Sequence, residues 1–345
     1  MKLLRIGITH GDINGVGYEM LLKVFQDPEM LDVCTPIIFG NAQVAAATAR
    51  QIELEPIPFN VIARADDAIE GRVNLVSVCK EANPELQFGQ QTEAALQAEA
   101  KSLTAAIEAY RHHQIDALVT LPGHLDNDAD SHALSDYIRR ALGSEEESFD
   151  WIINGQVRAL LLRSMDASTE LGEGLASETL QVQIKTISQC LRQDFCLIKP
   201  RIALVSNQGK TKHDIDDLRE DGILIFGPFE AGTFSEDARQ YHYDGCLFLG
   251  EEDACQEIIS QEEPDHAIGY VSGLPIVLTY PIHGIDYQHA GQGVTCEISL
   301  RQAIYAAIDI MRNRQRYRYA THNPLEKQWV PRGRDDFKLD LTKEE

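Results

Sequence analysis

Membrane-length apolar runs are missing from this 345-residue chain, in which no stretch approaches the roughly 18 residues that would suggest a span. The opening segment, MKLLRIGITHGD, has a short apolar run but no signal-peptide core or cleavage site, so the expectation is a protein neither exported nor membrane-bound. Positive charge is scarce: 31 Lys and Arg stand against 54 Asp and Glu, a formal net charge of −23. Binding to nucleic acid or to an anionic lipid surface needs basic side chains against phosphates, and this balance excludes both as the main role. The 7 cysteines contain no CxxC pair and are odd in number. That excludes a disulfide framework or a cysteine metal cluster, and reduced thiols in a cytoplasmic protein are expected. Internal repeats and Pro/Gly/Ser-rich linkers are absent too.

What is present is enough apolar material for a sizeable core, 43% of residues, at a length that suggests about two domains. Continuous apolar runs predict strands covered on both faces at Leu3–Thr9, Pro36–Gly40, Asp116–Thr120, Val157–Leu162, Arg201–Val205, Gly245–Leu249 and Pro275–Tyr280. Between them, 3.6-residue periodicity predicts helices at Tyr18–Gln26, Asn41–Gln51, Thr92–His112, Leu175–Leu191 and Ser299–Arg312. Alternation of the two over the whole length predicts a three-layer α/β/α fold. The charged stretch after Arg312 reads as a frayed or surface-hugging tail.

Two glycine-rich loops follow predicted strands. Thr9-His10-Gly11-Asp12-Ile13-Asn14-Gly15-Val16-Gly17 opens the first helix, and fits either an anion cradle or a tight strand–helix turn. Its spacing is neither GxGxxG nor GxxxxGK[ST]. Pro281-Ile282-His283-Gly284 through Ala290-Gly291-Gln292-Gly293 precedes the last helix and offers backbone amides and an imidazole.

GITHGDINGVGYE, LVTLPGH at 118–124, PRIALVSN at 200–207 and GLPIVLTYPIHG…AGQG at 273–293 occur in the order seen in one family. With them the chain resembles the 4-hydroxythreonine-4-phosphate dehydrogenases (PdxA) of vitamin B6 biosynthesis over about Leu3 to Gln328. The resemblance implies a fold shared with isopropylmalate and isocitrate dehydrogenases, with two domains around a cleft, approximately 1–130 plus 275–345 and 131–274. It implies a homodimer with a small-molecule ligand in the cleft, and NAD held by His283, Gly284, Gln288, Ala290 and Gly291. It also implies a reaction in which a metal bound by three histidines activates the C3 hydroxyl of 4-phosphooxy-threonine for oxidation and decarboxylation.

The positions that resemble the metal ligands carry Met165, Gly209 and Glu251 instead of histidine. A thioether, a bare backbone and one carboxylate are a poor donor set for a hard divalent ion, so no metal is expected. Positions that resemble the phosphate contacts carry Leu125, Leu134, Ser260, Gly269 and Leu278. In the cofactor loop, Gln288 stands where an acidic residue would meet a ribose hydroxyl, so NAD binding is expected to be weakened. The candidate catalytic residues are Asp12 and His124, with Arg163 and Lys210 as cations that could stand in for a metal. The expectation is a family member that has lost the family reaction, the alternative being a dehydrogenase active on the family substrate or a changed one.

Overall fold

The computed structural model describes residues 3–78, 86–124, 133–162, 177–207, 212–234, 242–260 and 263–322. Neighbouring residues in its central strands point into different cores, which fixes the layering. β1 (Leu4–Thr9) and β2 (Cys34–Gly40) send Ile6, Ile8 and Ile38 into one core, while Ile37 and Phe39 enter another. β5 (Ala117–Val119) and β12 (Val277–Pro281) divide likewise, with Val119 and Val277 on one face and Leu118 and Leu278 on the other. Strands buried on both faces need helices on both sides, which the apolar runs had predicted.

Among the described residues twelve strands form one sheet, completed by β3 (Asn60–Ile62), β4 (Asn74–Ser77), β6 (Phe149–Asn154), β7 (Val157–Leu162), β8 (Arg201–Val205), β9 (Leu224–Phe229), β10 (Gly245–Leu249) and β11 (Ile268–Ser272). Their order is β3-β4-β2-β1-β5-β12-β11-β6-β7-β10-β8-β9. Pairing is parallel except at β12–β11, β11–β6 and β6–β7.

Helices α1 (Gly17–Val24), α2 (Met30–Val33), α3 (Ala42–Gln51) and α4 (Glu93–Arg111) belong to the first part of the chain. α5 (Ala133–Leu142), α6 (Ser177–Asp194), α7 (Lys212–Glu220), α8 (Glu252–Ile259) and α9 (Ile298–Thr321) follow. Side-chain caps start two of them: Asn41 Oδ1 accepts the Gln43 N–H at α3, and Thr92 Oγ1 accepts the Ala95 N–H at α4. The face of α4 that carries Leu103 and Ile107 packs with Leu118 and Leu278, whereas Leu300, Ile304 and Ile308 of α9 join the opposite core.

Five strands escaped the sequence reading: β3, β4, β6, β9 and β11. Each is short or interrupted by polar residues, Gly or Pro, as in FDWIIN and LIFGPF, so no continuous apolar run marks it. Residues 323–345 lie outside the described residues, and the expected tail is corrected from Arg312 to Thr321, a stretch that belongs to α9. Its polar stretch stays helical because Arg314 turns inward, only 2% exposed. There Nε donates to Asp194 Oδ1 (2.6 Å), and Nη1 donates to the Leu274 carbonyl (3.0 Å). Tyr270 donates its hydroxyl to the same carboxylate, so one buried ion pair ties α9 to α6 and β11.

Candidate functional site

β1, β5 and β12 are neighbours and run parallel, so the loops leaving their carboxyl ends converge, the usual place for a ligand in such a sheet. The Asp12 N–H donates to the Pro122 carbonyl (2.9 Å), and the Val16 N–H to that of Ile285 (3.1 Å). Such close approach explains Gly11, which sits at φ +63°. A Cβ there would lie 2.1 Å from the Pro122 carbonyl oxygen. The first glycine loop is thus a packed three-loop junction.

At that junction Asp12, fully buried, accepts the Asn14 N–H at Oδ1 (2.7 Å). Its Oδ2 lies 2.8 Å from His124 Nε2 and 2.6 Å from the Tyr287 hydroxyl, and Tyr287 and His124 are 3.0 Å apart. A carboxylate can only accept, so Nε2 carries the imidazole proton and Tyr287 donates its own. His124 Nδ1 is left as an acceptor, 3.4 Å from Gln91 Nε2. Burial first, then the bond to Asp12, pushes the Tyr287 phenol above its ordinary pKa, which keeps it a donor. From below, Glu99 accepts the His124 backbone N–H (3.1 Å). A carboxylate orienting an imidazole whose other nitrogen is an acceptor is the arrangement of a general base.

His10, in the same loop, plays a different part. It is 1% exposed, its Nδ1–H meets the Gly11 carbonyl (2.7 Å), and it stacks on Tyr18 with centroids 5.3 Å apart. Burial pulls its pKa down to about 4. It is a neutral core imidazole.

The second glycine loop is clamped by α1. Glu19, also fully buried, accepts the N–H groups of Gly291 and Gly293, and Lys23 Nζ donates to the carbonyls of Gly293 (2.8 Å) and Thr295 (2.5 Å). Burial raises the Glu19 pKa against the pull of those two amides. The Gly291 amide is therefore occupied within the protein, while Gly284 and Gln288 are exposed and Ala290 is buried. His283 has its Nε2 buried without a hydrogen-bond partner.

Elsewhere, Glu251 has both oxygens engaged by Asn207, one by the backbone N–H and one by Nδ2, each at 3.0 Å. Leu134 and Leu278 are buried in the apolar core shared with α4, and the Ser260 hydroxyl donates to the Glu257 carbonyl. A side chain at Gly269 would run into the Tyr280 ring. Leu125, Arg163, Met165, Gly209 and Lys210 lie outside the described residues. The sequence reading had singled out Asp12 and His124 but missed Tyr287 and Glu19. The signal for Glu19 was an acid within an apolar helix start, GYEMLL. No helix among the described residues is long and apolar enough to cross a membrane.

A family model for the pyridoxal phosphate biosynthetic protein PdxA matches residues 32–307. The 4-hydroxythreonine-4-phosphate dehydrogenase of Bacteroides thetaiotaomicron is 35% identical over 98% of this chain and 97% of its own length. That of Trichlorobacter lovleyi is 24% identical over 90% of this chain and 98% of its own. Among solved structures, the Klebsiella pneumoniae 4-hydroxythreonine-4-phosphate dehydrogenase matches with a TM-score of 0.72 at 16% identity, over 90% of this chain and 98% of that one. The Burkholderia phymatum enzyme gives 0.68 at 21% identity, over 90% and 99% respectively.

Proposed function

This chain belongs to the PdxA family, a family of NAD-dependent dehydrogenases, and on that premise we propose that it keeps the family cleft but has lost the metal-dependent oxidation and decarboxylation of 4-phosphooxy-threonine. One observation carries the reading. At the positions that resemble the metal ligands, Met165 and Gly209 supply no hard donor, and the remaining carboxylate, Glu251, spends both oxygens on Asn207. The donor set does not fit a divalent ion, so no step is assigned to one. Leu134 and Leu278 support the same reading, because an apolar side chain packed in the core offers a phosphate nothing to bind.

This reading keeps a dinucleotide at the second glycine loop. His283 would hold it together with Gly284, Gln288 and Ala290, and Gly291 would shape the loop through Glu19. Bound there, NAD supplies a hydride acceptor. Gln288 offers a ribose hydroxyl a neutral amide in place of a carboxylate, which weakens that contact. A homodimer belongs to this reading. So do two subdomains, 1–130 with 275–345 and 131–274, supported by β1–β5 and β12 filling one half of the sheet and β6–β11 the other.

The test is direct. Protein reloaded with Zn2+, Mn2+ or Mg2+ should hold no stoichiometric metal and form no NADH from 4-phosphooxy-threonine. One tightly held metal per subunit together with substrate-dependent NADH would overturn the reading.

The Asp12–His124–Tyr287 cluster favours a second reading, a metal-independent dehydrogenase on a changed small substrate. In it His124 Nδ1 takes the proton of a substrate hydroxyl, and Asp12 fixes the tautomer that leaves this nitrogen free to accept. Asp12→Asn would then change which imidazole nitrogen of His124 carries the proton, read as the Nδ1/Nε2 tautomer by 15N NMR. An unchanged tautomer would remove the dyad from the argument.

A further inference from the structure

One wall of the Asp12–His124–Tyr287 cluster is made by the segment 86–92, between β4 and α4, and a single side chain of the first glycine loop holds it there. Asn14 is fully buried. Its Oδ1 accepts the Gln87 N–H (2.9 Å), and its Nδ2 donates to the Gln90 carbonyl (3.0 Å) and to Thr92 Oγ1 (3.1 Å). Its backbone carbonyl accepts the Gly89 N–H (3.0 Å), while its own N–H donates to Asp12 Oδ1. A short amide that both donates and accepts suits a segment presenting an N–H, a carbonyl and a hydroxyl together.

The segment is pinned from its other side by the second glycine loop. A Cβ on Gly291 would lie 3.0 Å from the Phe88 ring, and a Cβ on Gly89, which sits at φ +78°, would lie 2.8 Å from the Tyr287 carbonyl oxygen. What the segment brings to the cluster is Gln91, whose Nε2 is 3.4 Å from His124 Nδ1. That nitrogen is the acceptor left by the tautomer that Asp12 fixes. The capping of α4 does not account for Asn14, because Thr92 Oγ1 accepts the Ala95 N–H from within its own segment.

From this we propose that Asn14 is a positioning residue for His124: by holding the 86–92 segment it keeps the Gln91 amide on Nδ1, where a substrate hydroxyl would bind. The inference rests on the reading in which His124 Nδ1 takes the proton of that hydroxyl. An arriving hydroxyl replaces Gln91 as the donor to Nδ1. The amide, kept alongside by Asn14, then has an N–H to give to the substrate oxygen. A neutral donor fixed at that place stabilises the oxygen as its proton leaves. Two residues from separate loops therefore prepare one nitrogen, Asp12 by setting the tautomer and Asn14 by setting what meets it.

The ring nitrogens of His124, followed by 15N NMR in the full chain with the ring neutral, test it in Gln91→Leu, Asn14→Ala and the double variant. Gln91 is exposed, so its replacement spares the fold and shows how far the Nδ1 resonance moves when the amide donor is removed. Asn14→Ala should move Nδ1 in the same direction. The double variant should move it no farther than Gln91→Leu does, because the two residues act through one contact. Exchange of the Gln87 amide should quicken about tenfold in Asn14→Ala, the scale of one lost hydrogen bond, with the thermal midpoint recording that the variant folds. Should alanine prevent folding, Asn14→Asp keeps the acceptor for Gln87 but offers Gln90 and Thr92 no donor, and should move Nδ1 the same way. Nδ1 unmoved in Gln91→Leu, unmoved in a folded Asn14 variant, or moved additively in the double variant overturns the proposal alone. A wild-type ring with its proton on Nδ1 overturns it together with the reading of His124 as the base.

Discussion

Acid should destabilise this protein through one imidazole, and the size of the effect follows from its surroundings. Burial holds the His10 pKa at about 4, against an ordinary value of 6.5, although the Gly11 carbonyl and Asp12 both favour the charged form. In the unfolded chain the same ring takes up a proton near 6.5. Between those two values the unfolded state binds more protons, so stability rises with pH across the window and falls as acid is added. At about 1.4 kcal/mol per pKa unit, the loss from this residue is about 2 kcal/mol between pH 7 and pH 5, and about 3 kcal/mol by pH 4. Urea unfolding of the wild type and of His10→Asn at both pH values isolates the effect, because asparagine does not titrate. The variant should be less stable at pH 7, having lost the stacking on Tyr18, but the gap should narrow by about 2 kcal/mol at pH 5. Parallel pH slopes for the two proteins would refute the reasoning.

Two further substitutions test the contacts that hold the site in place. Arg314→Met leaves Asp194 and Tyr270 buried without their cation and should cost about 3–5 kcal/mol, read as a lower urea midpoint; replacing Asp194 by Leu in the same chain should recover most of it. Glu19→Gln trades the acceptor oxygen for one of the two loop amides against an NH2 group and should cost about 1–3 kcal/mol. Hydrogen exchange at Gly291 and Gly293 should speed up in that variant, and unchanged protection would mean that the loop is held by Lys23 and packing instead.

The central strands were legible because burial on both faces leaves a continuous apolar run, as in RIALV and GCLFL, and the boundaries of β7, β8 and β10 were read correctly. The edge strand β9 and the antiparallel strands β6 and β11 were not, because their pattern is broken by polar residues or by Gly-Pro. The extension of α9 was hidden for another reason. Arg314 reads as a surface charge until Asp194, 120 residues away, comes to face it. At the site, Asp12 and His124 could be picked out because each sits in a glycine-marked turn after a strand. Tyr287 could not, since its partners come from two other loops and no spacing rule links them. Glu19 was masked in the same way, by amides 272 and 274 residues distant.

The place of β12 in the sheet has a consequence for how the chain is made. β5 pairs with β1 on one side and with β12 on the other, and the β12 register joins Ala117 to Val277. A ribosome that has just released β5 must add about 160 residues before the strand that covers its open edge emerges, a wait of roughly 8–30 s at ordinary rates of synthesis. During that interval β5, at the end of the β3–β4–β2–β1–β5 half, presents an apolar, hydrogen-bond-hungry edge to its surroundings. The loops of the candidate site close only when the Pro281–Gly293 segment arrives, so a chain released early would carry Asp12 and His124 but no site. The strand order itself thus leaves the β5 edge uncovered until late in synthesis.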